Sequence, residues 1–272
     1  MNSPAEVAKN YINIGKGKVN TPIAKMFILG IMAGMFIAWA GLASTVAGST
    51  IENASVAKFV NAALFPGGLA MVLVAGSELF TGNCLLIIPL MEKAVNFAGV
   101  LKNWVVVWCG NLVGALFVSA ISVGSHQAGL FSNRLVVAQM STAISKCSLS
   151  FSDAFLKGLA CNILVCIAVW MSFAAKDVAG KIIGLYFPIL FFVVCGFEHS
   201  VANMYYTSVG VLAKGNATYL QAATDAGLDV TNLTWGHMFA NNLIPVTLGN
   251  LVGGLLVGLV YWFCYLQGKK ES

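Results

Sequence analysis

Long stretches of this chain contain no charged residue, and this feature restricts the fold more than any other. Residues 26–51 lie uncharged between Lys25 and Glu52. Two further uncharged runs cover residues 158–175 and 238–268. A helix that crosses a bilayer needs roughly 20 apolar residues. Because lipid offers no hydrogen-bond partners, only helices and closed barrels span it. Runs of this length predict an all-α membrane protein in contact with a lipid bilayer.

The composition excludes several other classes of protein. Only 9% of the 272 residues are charged and the mean hydropathy is +0.84, whereas about a quarter of the residues in soluble domains are charged. The net charge of +5 comes from scattered lysines, which does not indicate a nucleic-acid partner. The seven cysteines lack the CxxC spacing of metal or redox sites. We therefore expect no metal, no cofactor and no catalytic residue.

The uncharged runs and the polar loops between them divide the chain into three parts. Residues 1–25 contain no apolar run of the signal-peptide type and are predicted to form a cytoplasmic arm or amphipathic helix. Residues 26–264 form the transmembrane domain, and residues 265–272 a cytoplasmic tail. The domain contains six predicted segments, at 26–48, 58–90, 104–124, 154–175, 182–212 and 238–264.

The two halves of the domain, at about 26–124 and 154–264, are related. Residues 110–114 and 249–253 both read GNLVG, in the third and sixth segments. Three crossings in each half would place the second copy upside down in the membrane, which predicts an inverted 3+3 repeat. Because small residues let membrane helices approach closely, we expect Gly114 and Gly253 to pack against the broken segments described next.

The second and fifth segments are too long for one simple span, and both carry the pattern G-x-E-x4-N. It reads GSELFTGN at residues 76–83 and GFEHSVAN at residues 196–203. Glycine provides backbone freedom at a helix break, and we assign this role to Gly76, Gly82 and Gly196. Broken helices in corresponding positions of two repeats are typical of transport pathways.

Three ionisable residues lie deep in apolar sequence, where a charge costs at least about 2.5–3.5 kcal/mol. Glu78 and Glu198 occupy equivalent repeat positions, and we expect each to accept hydrogen bonds from backbone amides freed at its helix break. His199 corresponds to Leu79 in the other half. The fold therefore does not require a histidine there, and we assign His199 to the pathway.

The sequence offers further candidate residues for the pathway. The hydroxyl of Thr81 could reach an anion or His199, and Leu79 and Phe80 could form a hydrophobic constriction. Asn162 and Asn203 could orient the polar groups.

Four stretches together resemble the formate/nitrite transporter family: GSELFTGN at 76–83, GFEHSVANM at 196–204, CNILVCIAVW at 161–170 and NLIPVT at 242–247. The resemblance extends from Lys25 to Trp262. It implies an aquaporin-like fold, a homopentamer with one pore in each protomer, and passage of small monovalent anions such as formate, nitrite or hydrosulfide.

The resemblance also implies roles for individual residues. His199 would be the central pore histidine with Asn162 as its partner, and Thr81 the threonine of the gating loop. Leu79 and Phe80 would line the cytoplasmic slit. Lys146 would attract anions to the outer vestibule. His199 could act either as an imidazolium that binds the anion or as a proton donor that lets a neutral acid cross.

The lysines and arginines predict the orientation. Ten lie in the arm, tail and loops of one side, and five lie on the other. The positive-inside rule places the richer side, with both termini, in the cytoplasm; we expect a multi-pass protein of the inner (plasma) membrane.

Two alternatives remain open at this point. A water or ammonia channel also suits broken helices and a central histidine. A membrane-embedded enzyme would have to use Glu198 and His199, which are adjacent on a helix and diverge by roughly 100°.

Overall fold

The structure, a computed structural model, describes residues 1–268 and contains only helices and loops within that range. The helices are α1 (Pro4–Asn20), α2 (Ile23–Gly48), α3 (Ala54–Gly76), α4 (Phe80–Met91), α5 (Phe97–Gly124), α6 (Arg134–Cys147), α7 (Phe151–Ala174), α8 (Val178–Val194), α9 (Ser200–Lys214), α10 (Ala217–Asp225) and α11 (Trp235–Tyr265). The all-α class is confirmed. Residues 269–272 of the predicted tail, with two of the lysines counted for orientation, lie outside the described residues.

Within this described range, five helices are long and apolar enough to cross a membrane: α2, α3, α5, α7 and α11. The predicted second segment, residues 58–90, is divided between α3 and the shorter α4. The predicted fifth segment, residues 182–212, is divided between α8 and α9. Both interruptions occur in the G-x-E-x4-N stretches, so the two predicted breaks are present.

The first helix begins at a capping box, which explains why a polar arm is helical. The Ser3 hydroxyl accepts a bond from the Glu6 amide, the Glu6 carboxylate accepts one from the Ser3 amide, and Pro4 occupies the first turn. The bonds from Ser3 hold the pKa of Glu6 below its ordinary value. Val7 and Tyr11 are buried, so α1 packs one face against the membrane domain.

The glycines of the two GNLVG stretches lie against different helices from those we expected. A Cβ on Gly114 would overlap the backbone carbonyl of Ile31 in α2, and one on Gly253 would overlap that of Leu159 in α7. The expectation that these glycines pack against the broken segments is therefore wrong. Small residues bring α5 onto α2 and α11 onto α7, and these contacts form a matching helix pair in each half.

Candidate functional site

The two helix breaks have the same backbone geometry. Gly76 and Gly196 both adopt left-handed conformations, with φ of +83° and +72°, which only glycine adopts readily. Both glycines lie at or just after the ends of the helices that are interrupted there. Gly82, in contrast, lies inside the first turn of α4 and has no positive φ. Its assignment to the break is wrong, because α4 has already begun at Phe80.

One asparagine side chain holds the first break together. The Asn111 Oδ1 atom accepts a hydrogen bond from the amide of Phe80 at 3.0 Å. Its Nδ2 atom donates to the carbonyls of Gly30 at 2.8 Å and Glu78 at 2.9 Å. All the groups are buried, and a buried backbone group without a partner costs about 1–3 kcal/mol. Asn111 thus supplies two bonds that the interrupted segment cannot make, and its bond to Gly30 ties the break to α2.

A second asparagine repeats this arrangement at the other break. The Asn250 Oδ1 atom accepts from the amide of Ser200 at 2.8 Å. Its Nδ2 atom donates to the carbonyls of Gly158 at 2.7 Å and Glu198 at 2.9 Å. Asn111 and Asn250 are the asparagines of the two GNLVG stretches, so the repeated sequence corresponds to a repeated hydrogen-bond pattern.

Glu78 is held by side chains and not by the freed backbone amides. Its carboxylate accepts from the Nζ atom of Lys18 at 2.9 Å and from the Nδ2 atom of Asn83 at 2.7 Å. Asn83 also donates to Asn103 at 2.8 Å. The expected amide contacts are wrong, because Asn111 already occupies the Phe80 amide.

Glu198 makes the equivalent contacts. It accepts from the Nζ atom of Lys146 at 2.8 Å and from the side-chain amide of Asn203. Asn203 also donates to Asn242 at 2.8 Å. A buried carboxylate is stable only when it is paired and hydrogen-bonded, and both glutamates meet this condition. Asn203 therefore links Glu198 to Asn242, and its place in the pathway stays a prediction.

His199 lies at the junction of the two broken segments. Its Nε2 atom is 2.8 Å from the hydroxyl of Thr81, and the residue is 3% exposed. Its Nδ1 atom accepts a hydrogen bond from the amide of Ala202 at 3.1 Å, which caps α9. An acceptor Nδ1 carries no proton, so this geometry requires the neutral tautomer with the proton on Nε2. His199 therefore donates to Thr81, and the hydroxyl hydrogen of Thr81 is left for another acceptor.

Asn162 hydrogen-bonds to Thr81 and makes no hydrogen bond to His199. Its Nδ2 atom donates to the carbonyl of Thr81 at 3.2 Å and to that of Asn250 at 2.6 Å. The implied partnership of Asn162 with the pore histidine is wrong, because His199 already uses both ring nitrogens. Asn162 instead holds the first turn of α4 in place.

The side of the site nearest α1 is almost closed. A cavity of about 30 Å³ there is lined by residues that include Tyr11, Lys18, Leu79 and Phe173. Leu79 thus borders the narrow passage. Phe80 is 4% exposed and buried in the core, and it does not border this cavity.

The opposite side opens into a larger cavity of about 510 Å³, which we call the vestibule. Its lining includes Lys146, Glu198 and His199, together with Phe65 and Phe192. The Phe65 and Phe192 rings meet edge to face with centroids 5.7 Å apart, and Phe192 lies 5.9 Å from the His199 ring. The two aromatic rings and the His199 ring therefore lie together in the lining of the vestibule.

Several residues of the site were not predicted from the sequence. These are Lys18, Asn103, Asn111, Asn242 and Asn250. Two of them could have been predicted, because Asn111 and Asn250 are the only polar side chains in the repeated GNLVG stretch. Lys18 and Lys146 also occupy similar positions, near the ends of α1 and α6, each before the first long helix of its half.

Comparisons with known proteins agree with this architecture. A family model described as formate/nitrite transporter matches residues 5–263. The chain is 39% identical over 284 residues to a probable formate transporter of Methanothermobacter thermautotrophicus, covering 97% of each protein. It is 34% identical to the formate channel FocA of Escherichia coli (strain K12), covering 97% of this chain and 94% of that protein.

A solved structure is also similar to the chain. It is a pentameric formate channel with formate bound, with a TM-score of 0.82 and 36% sequence identity. The similarity covers 90% of this chain and 98% of that one. Fold and sequence therefore point to the same family over nearly the whole chain.

Proposed function

The chain belongs to the formate/nitrite transporter family, and from this premise we propose that it conducts formate or a similar monovalent anion through a pore in each protomer of a homopentamer. Membership of the family makes it an anion-transport protein and not an enzyme. In this proposal the two halves are inverted repeats of three crossings each, and α3–α4 and α8–α9 are the broken crossings.

The proposed pathway runs from the vestibule past His199 and Thr81 to Leu79 and the small cavity beside α1. The observation that carries the proposal is the 2.8 Å contact between His199 and Thr81. It joins the starts of α4 and α9, and the N-terminal end of a helix favours an anion. Such help is needed, since moving a bare anion into an apolar medium costs on the order of tens of kcal/mol.

In the proposed mechanism the hydroxyl of Thr81 donates to the passing anion. The Nε2–H group of His199 donates to the same hydroxyl oxygen, and hydrogen bonds in such a chain strengthen one another. A proton-coupled route would require a second proton on Nδ1 of His199. That proton would displace the bond from the Ala202 amide, so this route involves a local opening at the start of α9.

The function is tested by flux into sealed proteoliposomes that contain the purified protein. We expect formate to enter faster than into protein-free vesicles, and the series formate, nitrite, hydrosulfide and acetate ranks the substrates. Passage of water or ammonia without any of these anions would contradict the proposal and favour the neutral-solute channel.

The proposed location is the inner (plasma) membrane, with the α1 side and both termini in the cytoplasm. The excess of lysines on that side supports this orientation. The vestibule would then face outward.

A further inference from the structure

The charges of the vestibule do not act equally, because one lysine is already neutralised. Among residues 1–268, the vestibule is lined by the ammonium groups of Lys58, Lys146 and Lys157 and by a single carboxylate, that of Glu198. Lys146 forms an ion pair with Glu198 at 2.8 Å. At distance this pair acts as a dipole, and its attraction for an anion is weak compared with that of a full charge.

Lys58 and Lys157 differ from Lys146 in this respect. Within the described part of the chain, the side chain of neither residue forms an ion pair, and neither donates a hydrogen bond to a protein group. Lys58 lies over the second helix break, since a Cβ placed on Gly196 would be 3.7 Å from its Nζ atom. The backbone carbonyl of Lys157 accepts from the Glu198 amide at 3.3 Å, which anchors this residue at the same break.

The small cavity on the α1 side, as residues 1–268 form it, is not lined by any lysine outside an ion pair. Its one lysine, Lys18, is paired with Glu78 at 2.9 Å. Its volume is about 30 Å³, against about 510 Å³ for the vestibule. Of these two cavities, as residues 1–268 form them, the vestibule alone is lined by lysines that are not in an ion pair.

We propose that Lys58 and Lys157 form an anion-capture site in the vestibule, and that Lys146 is a positioning residue for Glu198. The ligand is a small monovalent oxyanion such as formate, so the inference rests on the proposed function. The two ammonium groups concentrate the anion beside the His199 end of the vestibule before it loses its water. Charges in a low-dielectric cleft raise the local concentration of a counter-ion in this way.

The test measures formate flux against formate concentration, with the anion added on the vestibule side of reconstituted protein. The variants are Lys58→Gln, Lys157→Gln and the double variant, with Lys58→Arg and Lys157→Arg as charge-preserving variants. The matched control is Lys176→Gln, an exposed lysine outside the vestibule. We expect the double variant to raise the half-saturating concentration about tenfold at low salt and to keep the maximal flux. The arginine variants and the control should retain the wild-type value.

Salt gives a readout that a purely structural role would not change. Screening shortens the Debye length to about 3 Å at 1 M salt, so wild type and double variant should converge there. An unchanged half-saturating concentration in a double variant that conducts formate would overturn the capture site. A tenfold increase in the half-saturating concentration of folded Lys146→Gln, with no increase in the double variant, would also overturn the capture site. Failure of the wild type to conduct formate would instead overturn the proposed function itself.

Discussion

The Nε2 atom of His199 lies 2.8 Å from the hydroxyl of Thr81, although 118 positions separate the two residues in the chain. Each residue stands at the start of a helix that resumes after a break, α9 for the histidine and α4 for the threonine. The contact is asymmetric, since the repeat counterpart of His199 is Leu79. The two halves thus share a scaffold of asparagines and ion pairs, and they differ at the point where the anion is proposed to pass.

We expect His199→Asn to fold and assemble but to lose the pH dependence of formate flux. Asparagine is a good N-cap residue and can still accept from the Ala202 amide, whereas it has no ring nitrogen that could take up a proton. The measurement is flux against pH in proteoliposomes with matched amounts of protein. The comparison variant His199→Ala should lose about 1 kcal/mol of stability with the cap. A wild-type pH profile in His199→Asn would remove the histidine from the mechanism.

Thr81→Val should slow formate flux while the fold is retained. Valine has nearly the shape of threonine but lacks the hydroxyl that is proposed to bind the anion. Loss of a hydrogen bond to a charged group, worth about 1.5–3 kcal/mol, predicts a decrease of about tenfold to a hundredfold. Thr81→Ser is the matched control, because it keeps the hydroxyl and should conduct. Equal flux through the valine and serine variants would show that the hydroxyl does not bind the anion.

Asn111→Ala and Asn250→Ala should destabilise the protein without a specific effect on anion choice. Each substitution leaves one amide and one carbonyl at a helix break without a partner, at about 1–3 kcal/mol for each group. Thermal unfolding in detergent and the yield of assembled protein provide the measurement. Asn10→Ala, at an exposed position of α1, is the control and should behave as wild type. Normal stability in both break variants would mean that water or other groups satisfy the break.

The orientation can be tested with introduced cysteines. Because the lysines are more numerous on the α1 side, Ser272→Cys should react with an impermeant maleimide only from the cytoplasm. Ser132→Cys, in the exposed loop before α6, should react only from outside. The wild-type chain is the control for its own exposed cysteines, Cys109, Cys195 and Cys264. Labelling of both positions from one side would rule out an odd number of crossings in the second half, which lies between them.

Several features of the site were predictable from residues close together in sequence. The breaks at Gly76 and Gly196 follow from glycines inside overlong apolar segments. The assignment of His199 followed from its lack of a counterpart in the repeat. In contrast, Gly82 was misassigned, since a glycine beside a break does not reveal on which side of it the helix resumes.

The sequence by itself determined that this chain is an all-α membrane protein with two interrupted segments and that it belongs to an anion-transport family. Apolar run length, glycine position and repeated motifs are local properties, and each can be read without knowing which helices meet. Only the tertiary structure decided that Asn111 and Asn250 satisfy the breaks, that Lys146 is neutralised by Glu198 and that Asn162 holds Thr81. A buried amide or carboxylate bonds with whichever partner packing brings within about 3 Å, and that choice is made by the arrangement of helices distant in sequence.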